Sequence, residues 1–270
     1  MSKNLQLRII FGLLYAGFIF GMLYYGKLTA IILLVVFGLF MTFEFNKITQ
    51  ANRTNGYRIF MNIINIPLGI GVWFLLDQLP DIYPLLVISI TYGLANVYSL
   101  FIKKTTLIKN EPQWFHMILY ITLPIVIGIL GCRWVDDFSM QLLYLFFIVW
   151  LCDVGAYFAG KAFGKRKLFE IVSPNKTWEG FYGGLIAGIL TAIAIHYYSG
   201  LHTLGFWIIA GAFICMISVI GDLIESSFKR HFEIKDSSNI IPGHGGFLDR
   251  LDSFIFALPF YTTLIVIFAL

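Results

Sequence analysis

Residues 204–252 read LGFWIIAGAFICMISVIGDLIESSFKRHFEIKDSSNIIPGHGGFLDRLD. The first 18 of them, Leu204 to Gly221, carry no charge. At about 1.5 Å per residue a helix of that length nearly crosses the roughly 30 Å hydrocarbon core of a bilayer. The stretch then changes character to acids, cations, small residues and glycines, until a second apolar run opens near residue 251. Alternation of this kind predicts a polytopic helical membrane protein, and it makes the polar connection the place to look for chemistry.

Composition extends that reading to the whole chain. Of its 270 residues, 59% are hydrophobic and 13% charged, with a mean hydropathy of +0.81. Soluble domains carry roughly 25% charged residues, so too few polar groups are present to coat a water-facing surface. A soluble globular protein, a disordered chain, a collagen-like chain and a disulfide scaffold are excluded. The apolar runs are continuous and helix-length, which also excludes the alternating pattern of an outer-membrane barrel. Cys132, Cys152 and Cys215 stand far apart, in or beside apolar runs and without C-x-x-C spacing. They are expected to be small buried hydrophobes.

Nine spans are predicted, near 9–25, 28–45, 58–76, 82–102, 115–132, 138–160, 180–198, 204–226 and 251–269. Lys3 and Arg8 ahead of the first run imitate a signal peptide. That run, however, is about 17 residues long, beyond the 7–15 of a signal core, and another span follows at once. It reads as a retained helix. With these spans, all but two of the 19 lysines and arginines fall on one side of the membrane. The exceptions are Lys27 and Arg133. The positive-inside rule then places the N-terminus in the cytoplasm and the C-terminus outside. The expected fold is all-α, a single membrane-embedded domain whose catalytic part lies chiefly in 150–252, within cytoplasmic loops 6–7 and 8–9.

Most basic residues need no explanation beyond topology, but those two loops also carry acids, glycine, histidine and asparagine. Asp222 and Glu225 stand at i and i+3 near the end of span eight. Asp249 and Asp252 do so where span nine begins. Residues three apart share a helix face, so two helix ends can offer carboxylates to one point. Hard cations such as Mg²⁺ are held this way, with substrate phosphates completing the shell. Glu225 is expected to be a solvated end residue, whereas Asp222, Asp249 and Asp252 are expected to be functional.

Pro242-Gly243-His244-Gly245-Gly246 is a turn whose backbone N–H groups, with the following helix N-terminus, can cradle phosphate oxygens. Alone, such a turn is usually a connector. Beside Lys229, Arg230, Lys235 and Arg250 it reads as a polyphosphate site, with His244 as a positioning donor. In loop 6–7, Ser173 to Gly180 puts polar donors just before a helix, making Asn175 and Lys176 candidate phosphate contacts. Asp153 lies inside span six and should face the interior and pair there. Gly155 and Gly160, and the Gly180, Gly184, Gly188 ridge, are expected to serve close helix packing.

Ser227-Phe-Lys229-Arg230, then Lys235-Asp236, then Pro242-x-His244-Gly245-Gly246-x-x-Asp249-Arg250-x-Asp252 resembles the signature of phosphatidate cytidylyltransferases, also called CDP-diacylglycerol synthases. The Ser-Pro-Asn-Lys-Thr-Trp-Glu-Gly stretch from Ser173 is similar to that family's second motif. The resemblance implies Mg²⁺-dependent transfer of CMP from CTP to phosphatidic acid, giving CDP-diacylglycerol and pyrophosphate. It further implies a multi-pass protein of the inner, cytoplasmic membrane that forms a homodimer. Nucleic acid is not an expected partner. Asp222 and Asp249, with Asp252 as third ligand, would hold one or two cations. Lys229, Arg230 and Lys235 would neutralise the leaving pyrophosphate. Asn175, Lys176, Lys235, Asp236, His244, Gly245, Gly246 and Arg250 would bind the substrates.

The nearest rival is a CTP-dependent kinase of a membrane polyprenol, with His244 or Asp252 as base for the hydroxyl. The spacing of CDP-alcohol phosphotransferases is missing. A transporter would keep its polar residues near the membrane midplane, where only Asp153 approaches.

Overall fold

The computed structural model of the chain describes residues 3–49, 82–104, 106, 113–238, 240 and 245–269. Its helices are α1 (Lys3–Tyr24), α2 (Lys27–Thr49), α3 (Tyr83–Phe101), α4 (Gln113–Trp134), α5 (Phe138–Phe163), α6 (Trp178–Ser199), α7 (Leu204–His231) and α8 (Leu248–Ala269). Among the described residues, seven helices, α2 to α8, are long and apolar enough to cross a membrane. Each overlies an expected span. Helix α1 covers the first expected span, with Gly12–Tyr24 as its shorter apolar part. The expected span at 58–76 lies outside the described residues.

The all-helical expectation needs one amendment. Loop 6–7 forms a two-stranded antiparallel hairpin, β1 (Lys167–Phe169) and β2 (Ser173–Thr177), pairing Lys167 with Thr177 and Phe169 with Ser173. Glu179, in the first turn of α6, fastens it. Its carboxylate accepts the Lys165 and Arg166 backbone N–H groups at 3.0 and 3.1 Å and pairs with Arg166 Nε at 3.0 Å. Thr177 caps α6 by accepting the Gly180 N–H, and Thr203 caps α7 by accepting that of Phe206. Both use the side-chain oxygen that an N-terminus requires.

Helix α4 widens to a π segment at Ile118–Thr122, just ahead of Pro124. Proline has no N–H and crowds the carbonyl four residues back, and a wider turn accommodates both defects.

Between membrane helices, packing replaces the hydrophobic effect, and small residues permit it. A methyl group on Gly155 would lie 2.8 Å from the Gly183 carbonyl, and one on Gly184 would lie 2.8 Å from that of Cys152. The glycines thus bring α5 and α6 into backbone contact, as the ridge predicts. Helix α8 runs through the core. Phe254 stacks on Phe146 of α5 with centroids 3.9 Å apart, and Tyr261 donates a buried 2.8 Å hydrogen bond to Gln141. All three cysteines are free and buried.

At 28 residues, α7 is about 42 Å long. It outreaches the hydrocarbon core, so the turns from Asp222 to His231 can meet the polar loops.

Candidate active site

The hairpin, α5, α6 and α7 enclose a cleft of about 560 Å³. Its polar lining is Asp153 and Lys161 from α5, Asn175 and Lys176 from β2, and Asp222 from α7. Tyr157, Leu168 and Phe181 supply apolar wall. Lys176 crosses the cleft to Asp222, with Nζ 2.7 Å from Oδ2 and side chains 23% and 33% exposed. Nζ also donates to the Val219 carbonyl at 3.5 Å, and Ser226 Oγ donates to Asp222 Oδ1 at 3.1 Å. The two motif-bearing loops therefore meet in one place.

Gly221 sets the neighbouring helix. A methyl there would stand 2.8 Å from Phe256 Cβ and 3.2 Å from the Asp252 carbonyl. Helices α7 and α8 touch at this point, which brings Asp222 and Asp252 together across the contact. Asp153, Asp222 and Asp252 lie close enough to repel one another. Asp153 is exposed and lines the cleft, instead of facing the interior and pairing there as expected. Asp252 is buried, and its Oδ1 accepts the N–H of its neighbour Ser253 at 2.7 Å. Among the described residues neither of these two acids has an ion-pair partner. Lys176 pairs with the third, Asp222.

A hard cation fits this arrangement. Its donors are carboxylate oxygens, and Asp222, paired with Lys176, has two further acids within electrostatic reach. Among the described residues no three His, Cys, Asp or Glu side chains cage a metal ion by themselves. A magnesium ion is commonly held by only one or two carboxylates and completed by phosphate oxygens, so the acids present are compatible with one.

The other expected residues form a separate knot. Lys229 is 11% exposed and lies between two carboxylates, 2.7 Å from Glu225 Oε2 and 2.8 Å from Asp249 Oδ1. Glu225 is therefore not a solvated end residue. It is buried on the face of α7 turned toward α8, and that burial requires the lysine. Asp249 is equally engaged. Besides Lys229 it accepts the Ser237 N–H (2.9 Å), the Ser237 hydroxyl (2.9 Å) and the Gly246 N–H (2.8 Å). A cation at Asp249 would have to displace one of these donors.

The start of α8 does not offer its amides to a phosphate. The Phe247 and Leu248 N–H groups donate to Glu44 of α2 at 2.9 and 2.8 Å, while Gly246 donates to Asp249. Sequence reasoning passed over Glu44, although an acid in the apolar run of α2 was itself the signal.

Arg230, Lys235, Asp236 and Arg250 are exposed. Arg230 Nη1 donates to the Ile234 carbonyl at 3.3 Å. Gly245 adopts φ +84°, where a side chain would be strained and would also meet the Asp249 carboxylate. His244 lies outside the described residues. The structure thus unites Asn175, Lys176 and Asp222 in the cleft, sets Asp252 behind Asp222, and ties Lys229, Asp249 and Gly246 into a neighbouring knot.

A sequence model of the cytidylyltransferase family matches residues 6–268. The phosphatidate cytidylyltransferase of Staphylococcus aureus (strain COL) is 38% identical over 209 residues, covering 76% of this chain and 75% of the relative. That of Staphylococcus epidermidis (strain ATCC 12228) is 37% identical over the same length and shares. The phosphatidate cytidylyltransferase of Staphylococcus haemolyticus is 45% identical over 133 residues, 48% of this chain and 51% of the relative.

Proposed function

The chain belongs to the cytidylyltransferase family, and from that premise we propose that it transfers CMP from CTP to phosphatidic acid, releasing pyrophosphate. The observation that carries this reading is the 2.7 Å pair of Lys176 with Asp222, which joins the hairpin motif and the α7 motif in one cleft. An enzyme joining two polyanions needs several positive charges at one point.

In the reaction a phosphate oxygen of the lipid attacks the α-phosphorus of CTP in line. The new P–O bond forms as the bond to the oxygen bridging the α- and β-phosphorus breaks, and pyrophosphate leaves with that electron pair. The nucleophile is already ionised, so no strong base is needed, and catalysis is positioning plus charge neutralisation. Asp222 and Asp252 are the residues that would hold Mg²⁺, which when bound supplies positive charge to the reacting phosphates. Asp249 would join them only on releasing Lys229 or Ser237. Asn175 and Lys176 contact the phosphates in the cleft. Arg230, Lys235 and Arg250 draw the polyphosphate from solution, and Lys229 keeps α7 and α8 in register.

The cleft faces the cytoplasm, where CTP is found, and the charge distribution supports that sidedness. The deciding experiment gives purified protein labelled CTP with either phosphatidic acid or a polyprenol. CDP-diacylglycerol and pyrophosphate are expected. Phosphorylation of the polyprenol, or no turnover with any lipid, would overturn the assignment.

A further inference from the structure

Glu44 is fully buried near the end of α2, and its carboxylate accepts four hydrogen bonds from about 200 residues further along the chain. The pattern is paired. Oε1 accepts Ser238 Oγ at 2.6 Å and the Phe247 N–H at 2.9 Å. Oε2 accepts Ser237 Oγ at 2.8 Å and the Leu248 N–H at 2.8 Å. Each oxygen therefore ties one residue before the glycine-rich turn to one residue after it.

A buried carboxylate is costly unless its lone pairs are met, and charge-assisted hydrogen bonds are the strong kind. Here all four come from the two ends of a single segment. Gly246 is fitted to the same carboxylate, because a Cβ there would collide with Ser237 Oγ and with both Glu44 oxygens. Ser237 links the clasp to its neighbour, since its hydroxyl also reaches Asp249 Oδ2 at 2.9 Å. One hydroxyl has one proton, so it serves either carboxylate at a given moment.

We propose that Glu44 is a positioning residue of the reaction: its carboxylate clasps 237–238 to 247–248 and so sets the N-terminal end of α8, whose first two turns carry Asp249, Arg250 and Asp252. It touches no substrate and acts through those turns. The clasp rests on geometry alone, and its catalytic consequence rests on the function proposed above.

The test uses full-length protein in lipid–detergent micelles. Glu44→Gln keeps the shape but turns one acceptor into a donor facing N–H groups. It is expected to lower kcat by about thirtyfold or more while leaving KM for CTP within about threefold, as when the turn it positions loses interactions made in the transition state. Glu44→Asp, one methylene shorter, should fall between. A purely structural role would lower the unfolding temperature and leave kcat of the folded fraction alone. Ser238→Ala should cost kcat about threefold by itself and nothing further in the Glu44→Gln background. A substrate-free readout is the maleimide reactivity of Ile240→Cys at this exposed position, expected to rise when Glu44 is changed. If Glu44→Gln does not fold, Ser238→Ala decides by the same two readouts. A kcat within twofold of the parent, or unchanged reactivity at 240, overturns the proposal. Absence of CMP transfer in the unmodified protein would refute the proposed function instead, and the labelling would still judge the clasp.

Discussion

Lys176 and Asp222 stand 46 positions apart in the chain and 2.7 Å apart in space. Their pairing brings the hairpin against α7 and leaves a lysine at the mouth of a cleft that two further acids approach. Each is only partly exposed, so the pair is neither a solvent-screened surface contact nor a fully buried one. A phosphate entering the cleft would compete with Asp222 for the lysine, and a cation would compete with the lysine for Asp222. Substrate binding is thereby written into the electrostatics of the resting site.

Lys176→Ala should abolish most CMP transfer, lowering kcat/KM by about a hundredfold or more, roughly 3 kcal/mol. Asp222→Asn should do the same, and the double variant should lose little beyond either single one, because the residues serve one step. Lys229→Ala belongs to the other knot. Its loss should multiply with that of Lys176→Ala instead of being absorbed by it. Steady-state kinetics on these variants and on the Lys176→Ala/Lys229→Ala double variant decides: an absorbed Lys229 loss would return both lysines to one phosphate site.

Asp249→Ala should destabilise the protein as well as inactivate it. Removing one partner from a buried, hydrogen-bonded ion pair costs about 3–5 kcal/mol, and here Lys229, Ser237 and Gly246 all lose an acceptor. The measurement is thermal unfolding in detergent followed by tryptophan fluorescence. An unfolding temperature equal to the parent's, with activity gone, would instead favour Asp249 as a direct ligand of the cation.

The sequence revealed most of this architecture because membrane spans are written in plain hydropathy, and the described helices α2 to α8 overlie the expected ones. It also identified the segments holding Asn175, Lys176, Asp222 and Asp252. What it hid is partnership. Glu225 looks like an end residue because nothing local shows that Lys229, one turn on, turns inward with it. Nothing in the spacing around Asp249 shows that Ser237 and Gly246 fold onto its carboxylate. Glu44 pairs with residues about 200 positions away, a distance no periodicity reports. The hairpin was hidden because its strands have only three and five residues.

Gly221→Val probes the contact of α7 with α8. The added Cβ would lie 2.8 Å from Phe256 Cβ, so the helices must part. Overpacking of this kind costs about 1–3 kcal/mol, and it also draws Asp222 away from Asp252. Activity should therefore fall further than stability, by about tenfold or more in kcat at a temperature where the variant is fully folded. Parallel losses in the two assays would mean that the contact serves folding alone.

Sidedness can be read with thiol reagents. The native cysteines are buried, so single introduced cysteines report cleanly. Glu170→Cys, exposed at the tip of the hairpin, should be protected from an impermeant maleimide in intact cells and react after permeabilisation. Ser199→Cys, at the other end of α6, should react in intact cells. The opposite pattern would put the cleft on the side of the membrane where CTP is absent.

Removal of divalent cations tests the acid trio. Asp153, Asp222 and Asp252 repel one another, and Lys176 pairs with Asp222 within the group. Like charges in a region of reduced dielectric raise one another's energy, so a bound divalent ion should stabilise the group more than the lysine does. Chelation is therefore expected to stop turnover and Mg²⁺ to restore it. Mg²⁺ alone, without nucleotide, should also raise the unfolding temperature, because an ion that binds only the folded state stabilises it by mass action. Asp252→Asn removes one charge from the group with little change of shape. It should weaken the Mg²⁺ requirement of stability and strengthen that of activity: the apo protein becomes more stable, while the Mg²⁺ concentration for half-maximal rate rises about tenfold or more. A variant whose apo stability is unchanged, and whose rate saturates at the parent's Mg²⁺ concentration, would show that Asp252 faces neither the other acids nor the ion.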